Sequence, residues 1–165
     1  MSNQPNNADT IRRTYAGPEH LLAALSDRTE WTEAAGYPYG GTYYGVDSIK
    51  KHVFERLGTE WDGFTATVHT YHEVKDKEIV IAEGIYTGVY KATGKSIRAD
   101  FVHIWELESG KIVRFKQYVD SHIVVQAIRN NSCVQHAAHL LSGILCIRKK
   151  LRCKLFTSLL TRDFI

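Results

Sequence analysis

The chain has 165 residues, 44% of them hydrophobic and 24% charged, which suits one domain with a buried core and excludes a disordered or fibrous chain. No apolar run approaches the roughly 18 residues of a spanning helix, and no apolar segment follows a basic start, so the sequence points to the cytosol. The formal charge of +3 is uneven: residues 1–128 hold 14 Lys/Arg against 17 Asp/Glu, residues 129–165 hold 7 against Asp163 alone, so overall basicity gives the main body no nucleic-acid signature.

Residues 1–8 are polar and read as a disordered start, and Asp9 or Thr10 caps a short helix beginning near Ile11. Gly17-Pro18 breaks it and opens a second helix with Leu21, Leu22 and Leu25 on its apolar face. Thr29 to Ala34 reads as a short strand, and a loop rich in Gly and Tyr follows over residues 36–41. Val46, Ile49, Val53 and Leu57 recur at helical steps, with Gly58 as the expected stop. From Phe64 the period becomes two. Strands are expected from Phe64 to Val74, Ile79 to Tyr90, Ser96 to Leu107 and Lys111 to Asp120, joined by tight turns into an antiparallel meander, with a short helix over Ser121 to Ile128. Helices first and a meander after them predict an α+β fold: helices on one face of a curved antiparallel sheet, with a concave pocket between.

Rings are dense enough to line that pocket: Tyr15, Trp31, Tyr37, Tyr39, Tyr43, Tyr44, Phe101, Trp105, Phe115 and Tyr118. Such a wall suits a flat, hydrophobic or aromatic ligand. His103 falls between Phe101 and Trp105 at strand spacing, so it shares a face with two rings, either as an acid/base imidazole or as a satisfied core histidine. Asp120 closes the last strand, and two roles are open to it: a carboxylate in an apolar pocket, whose raised pKa would suit proton transfer, or the cap of the following helix.

Metal chemistry finds no support. His69 and His72 lie three apart in a strand and so point to opposite faces, while Cys133, His136 and His139 lack a fourth ligand. No dinucleotide, P-loop or nucleophile-elbow pattern is present. Beyond Ile128, apolar residues recur at helical steps (Leu140, Ile144, Ile147, Leu151, Leu155), Arg148, Lys149, Lys150, Arg152 and Lys154 crowd the same segment, and all three cysteines lie there. This basic extension, residues 129–165, reads as a surface helix for an anionic membrane, as a helix docked on the domain, or as a non-native extension; the last two are favoured over membrane contact.

Three stretches carry a family resemblance: Glu30-Trp31-Thr32-Glu33 ahead of Tyr37-Pro38-Tyr39-Gly40-Gly41-Thr42-Tyr43, then Phe101-Val102-His103-Ile104-Trp105, then Gly110 through Asp120. Over about residues 9–128 the sequence resembles the SnoaL-like branch of the NTF2-like superfamily, with its polyketide cyclases and ketosteroid isomerase relatives. The resemblance implies an α+β cone, a homodimer formed through the sheet, no cofactor and no nucleic-acid partner. It also implies Asp120, His103 and Glu33 as candidate acid/base residues, and Tyr15, Trp31, Tyr39, Tyr43, Phe101, Trp105 and Tyr118 as candidate ligand contacts. Glu33 aligns with the isomerase base and Tyr15 lies near the isomerase oxyanion tyrosine, but Val102 stands where isomerases place a protonated acid, with Asp100 two residues off on the same strand face. Epoxide hydrolases of this fold carry Arg-x-Asp where Gly84-Ile85-Tyr86 stands. The function implied is cofactor-independent acid/base catalysis on a hydrophobic carbonyl or polyketide-type compound; the alternative is a non-catalytic binding or dimerisation module of the same fold.

Overall fold

The computed structural model describes residues 6–74 and 76–130, which fall almost wholly within Met1–Arg129, the first of two units into which the chain divides. The basic extension lies outside the described residues except for its first two positions. In chain order the elements are α1 (Asn7–Thr14), α2 (Pro18–Ala24), β1 (Leu25–Glu33), β2 (Gly41–Tyr44) and α3 (Val46–Ile49), which continues through a π turn (Lys50–Phe54) into α4 (Glu55–Glu60). Then come β3 (Trp61–Val74), β4 (Ile79–Tyr90), β5 (Lys95–Glu108), β6 (Lys111–Val119) and α5 (Ser121–Ile128). Among the described residues no helix is long and apolar enough to cross a membrane.

The six strands form one curved sheet in the order β2-β1-β6-β5-β4-β3, with helices packed against it. The meander from β3 to β6 is antiparallel, as expected, whereas β1 lies parallel to β6, with Trp31 opposite Phe115, so the sheet is mixed rather than antiparallel throughout. β2 pairs back onto β1 and puts Tyr43 opposite Trp31. The β5–β6 turn has both central residues, Ser109 and Gly110, at positive φ (51° and 78°), the two-residue geometry that matches strand twist.

Three helix boundaries differ from expectation. α2 ends at Ala24, and Leu25, expected on its apolar face, has extended backbone and opens β1. α1 starts at Asn7 because Asn6 caps it, its side chain accepting from Ala8 N–H at 3.1 Å; Asn7 and Ala8 are thus helical rather than part of a disordered start. The third helix runs past Gly58 to Glu60, because the Lys91 ammonium donates to the carbonyls of Gly58 and Thr59 at 3.2 and 3.0 Å and so satisfies the helix end itself.

Inward-facing residues form two packed clusters. One gathers Ile11, Trp31, Ile49, Val53, Trp105 and Phe115; the other gathers Tyr37, Tyr39, Trp61, Tyr86, Phe101 and Val124. Rings dominate both. Trp31 stacks on Phe115 at 3.7 Å between centroids and meets Trp105 edge-on at 5.7 Å.

Candidate functional site

A cavity of about 590 Å³ opens between the inner sheet face and the helices. Its walls are apolar: Leu21 from α2, Val53 and Phe54 from the π turn, Leu57 from α4, Trp61 and Phe64 from β3, and Trp31, Trp105 and Phe115 from the sheet floor. Among the described residues no Lys or Arg lines it. Its polar groups are Thr14, Tyr15, Glu33, Tyr37, Thr65, Tyr86, His103 and Gln117.

Strand alternation delivers the central groups. In β1, Thr29, Trp31 and Glu33 point inward, and the Trp31 indole N–H donates to Glu33 Oε1 at 2.7 Å. Glu33 is 3% exposed, and its second oxygen, Oε2, has no partner. Burial raises its pKa from 4.5 to about 7, with the Trp31 hydrogen bond opposing part of that rise. A carboxyl group so placed exchanges a proton near neutral pH.

In β5, Phe101, His103 and Trp105 all point inward, and the His103 ring stacks on Phe101 at 4.0 Å. Both imidazole nitrogens face phenols: Nδ1 lies 2.6 Å from the Tyr15 hydroxyl and Nε2 lies 2.5 Å from that of Tyr86. Burial lowers the His103 pKa from 6.5 to about 3, so the ring is neutral at physiological pH. With a phenol at each nitrogen, it bridges the Tyr15 and Tyr86 hydroxyls. Burial likewise raises the pKa values of Tyr15, Tyr37 and Tyr86, and their hydroxyls keep their protons. The Tyr37 hydroxyl is also buried without a partner.

Of the rings expected around the pocket, Tyr37 and Phe115 line this cavity and Tyr44 is exposed; of the ten candidate acid/base and ligand-contact residues, Tyr15, Trp31, Glu33, His103 and Trp105 line it. Five do not. Asp120 is exposed at the start of α5, where its side chain accepts from Ile123 N–H at 3.4 Å: it takes the cap role and is removed from the pocket. Tyr118 is 49% exposed on the opposite sheet face, under the Lys116 ammonium. Phe101 is buried behind His103 rather than lining the cavity. Tyr39 donates to Glu60 and accepts from the Trp61 indole, while Tyr43 donates to the Tyr39 carbonyl; together they pin the loop before β2 to α4 and β3. Asp100 lies on the outer face, so no second acid replaces the isomerase one.

Sequence reading missed Tyr86 and Gln117. Tyr86 follows Val80, Ala82 and Gly84 at alternate positions of β4, and that spacing is the signal that puts it inside. Gln117 follows Phe115 by two in β6 and pairs with His103 across the strands.

A family model described as the SnoaL-like domain matches residues 14–115. No curated protein matches the chain. Among solved structures it is similar to an NTF2-like protein from Burkholderia thailandensis, with 38% identity, covering 76% of this chain and 98% of that one, at a TM-score of 0.71. An NTF2-like protein of unknown function from Burkholderia pseudomallei shares 26% identity over 79% of this chain and 100% of its own, at a TM-score of 0.68. TerC, co-crystallised with polyporic acid, shares 25% identity over 76% and 99%, at a TM-score of 0.67.

Proposed function

The chain belongs to the SnoaL-like domain family of NTF2-like proteins, and from that membership and the cavity's geometry we propose that it acts on a neutral, flat, apolar carbonyl compound by cofactor-independent proton transfer. One observation carries the reading: the buried Oε2 of Glu33, unpartnered in an apolar cavity, on a carboxyl whose pKa is about 7. In its ionised form Glu33 takes a proton from a carbon beside the carbonyl. The C–H electron pair forms the new C=C bond, the carbonyl π pair moves to oxygen as an enolate, and reprotonation at carbon completes the exchange or isomerisation. The walls exclude water, which strengthens every polar contact inside. TerC's co-crystallisation with polyporic acid supports a cavity of this fold that holds an organic ligand.

The test needs no natural substrate. 2-Tetralone, a flat enolisable ketone, should exchange its α-protons in deuterium oxide faster with the protein present, as read by proton NMR. Glu33→Gln should lower that exchange by about two orders of magnitude or more. Bound ketone without exchange in the unaltered protein would leave a ligand-binding module and remove the catalytic reading. The same reading includes a cytoplasmic homodimer joined through the outer sheet face that bears Tyr118, tested by sedimentation velocity and by Tyr118→Glu.

A further inference from the structure

The cavity's polar end is a chain of five groups whose protons can be counted. The Trp105 indole N–H donates to the Tyr15 hydroxyl at 3.1 Å, Tyr15 meets His103 Nδ1, His103 Nε2 meets Tyr86, and Gln117 Nε2 donates to the Tyr86 hydroxyl at 3.0 Å. The Gln117 amide is oriented by its other end, since its oxygen accepts from Ala34 N–H at 3.3 Å. Indole and amide nitrogens only donate, so both phenolic oxygens already accept from the outer ends of the chain. Two contacts with the imidazole remain to be filled. Three protons are available for them: one on each phenol and one on the neutral ring. Each contact takes one, and one phenolic proton is left over in either tautomer.

We propose that this surplus proton is the hydrogen bond the cavity offers to a ligand's oxygen, and that His103 is a positioning residue whose tautomer decides whether Tyr15 or Tyr86 presents it. With the ring proton on Nδ1, His103 donates to Tyr15, Tyr86 donates to Nε2, and Tyr15 has the free proton. With the ring proton on Nε2, Tyr15 donates to Nδ1, Nε2–H donates to Tyr86, and Tyr86 has it. Glu33 selects between them. Gln117, oriented by the N–H of Ala34 next to Glu33 in sequence, holds the Tyr86 hydroxyl, so Glu33 stands at the Tyr86 end of the hydrogen-bonded chain, whereas Tyr15 is held at the other end by Trp105. A carboxylate near Tyr86 favours the arrangement whose free O–H dipole points its hydrogen into the space the two share. Tyr86 is therefore the donor while Glu33 is ionised, and the base and the donor stand together at the same end.

The ligand class follows. One surplus phenolic proton serves one carbonyl oxygen, with the Tyr37 hydroxyl as a second, unpartnered neighbour. With no Lys or Arg among the described lining residues, a carboxylate or phosphate would bring a second negative charge beside Glu33 with no described cation to offset it. The cavity is built for a neutral ketone.

This inference rests on the reading that a carbonyl compound occupies the cavity but not on turnover, so the probe is 9-fluorenone, a flat neutral ketone with no α-hydrogen. Bound to the full chain, its carbonyl stretch should fall below its value in hydrocarbon solvent. Tyr86→Phe should abolish that shift and weaken binding roughly five- to tenfold, the size of one neutral hydrogen bond, while Tyr15→Phe retains the shift. His103→Gln, which keeps one donor and one acceptor, should retain it too. In protein with 15N-labelled histidine, His103 should show a protonated Nε2 and a bare Nδ1 at pH values above the Glu33 midpoint near 7, where that carboxyl is ionised, a measurement that needs no variant. Any of four results overturns the proposal: no fluorenone binding up to its solubility limit, a carbonyl shift that survives Tyr86→Phe, a shift lost in folded His103→Gln, or a His103 that is an imidazolium or Nδ1-protonated above that midpoint. Fluorenone bound with these features while 2-tetralone fails to exchange would sink the proton-transfer reading and leave this one standing; tetralone exchange with an imidazolium at His103 would do the reverse.

Discussion

Glu33 and His103 are both perturbed by burial, in directions that oppose each other as pH changes. Glu33 holds its proton up to about pH 7 in the folded chain and to 4.5 when exposed, so the folded state binds more protons between those values. Its contribution to stability is therefore greatest below pH 4.5 and is lost as pH rises towards 7, a cost of about 3 kcal/mol once it is ionised. His103 does the opposite. Its folded pKa of about 3 against 6.5 means that stability falls as pH drops below 6.5. The two trends offset each other between pH 4.5 and 6.5. Removing the titrating carboxyl with Glu33→Gln should uncover the histidine trend: in denaturant melts across pH, the variant gains on the parent as pH rises from 4.5 to about 7 and keeps that gain above it. Tetralone exchange by the parent should rise through the same midpoint, because only ionised Glu33 accepts the proton. A rate that falls across this range would remove Glu33 as the base.

At the scale of elements, most of the site follows from alternation along strands, and Tyr118 lies outside it beyond one bulge. Phe101, His103 and Trp105 were expected on one face and lie on one face, because β5 runs without interruption through them. β6 behaves differently. Its pairing moves from Leu107–Ile112 to Glu106–Arg114, so Val113 is an extra residue and both Ile112 and Phe115 face inward. A strict count from Ile112 puts Tyr118 and Asp120 inside; the count that resumes at Phe115 puts them outside and Gln117 inside. Nothing in the local composition marks that bulge, whereas the long-range pairing with β5 does. Asp120→Asn should therefore leave tetralone exchange unchanged, and Asp120→Ala should cost about 1 kcal/mol or less through the lost cap. A large loss of exchange in Asp120→Asn would return that carboxyl to the chemistry. Tyr86 was hidden for a different reason, as its neighbour Gly84 breaks the apolar run. That glycine is required, since a Cβ there would sit 2.4 Å from the Thr67 carbonyl oxygen and 2.5 Å from the Phe101 ring. Phe101 in turn supports the His103 and Tyr86 rings at 4.0 and 4.3 Å. Gly84→Ala should cost roughly 1–3 kcal/mol, measured by thermal melting, and shift the His103 nitrogen resonances, because the ring stack must move.

At the scale of the whole molecule, the described lining of the cavity runs from Thr14 to Gln117. The last described helix is tied back to the meander by Thr93, whose hydroxyl donates to the Ala127 carbonyl at 2.6 Å, and by Lys95, whose ammonium donates to the Gln126 and Arg129 carbonyls at 3.1 and 2.7 Å. A chain shortened to residues 1–130 keeps all three bonds and should bind fluorenone as the full chain does. A large loss of affinity on shortening would make the basic extension part of the ligand site.

The unpartnered oxygen of Glu33 also makes occupancy of the cavity a matter of proton inventory. A ligand with no hydrogen to donate surrounds that oxygen with further apolar atoms and drives its proton affinity higher still, so near pH 7 each molecule bound should draw a fraction of a proton from solution. An enol or phenol donates to the same oxygen, holds it ionised, and releases protons instead. Titration calorimetry in two buffers of different ionisation heat separates these cases by sign, for fluorenone against 2-naphthol. The protein thereby reports, through the buffer, whether the molecule it holds is in the keto or the enol form.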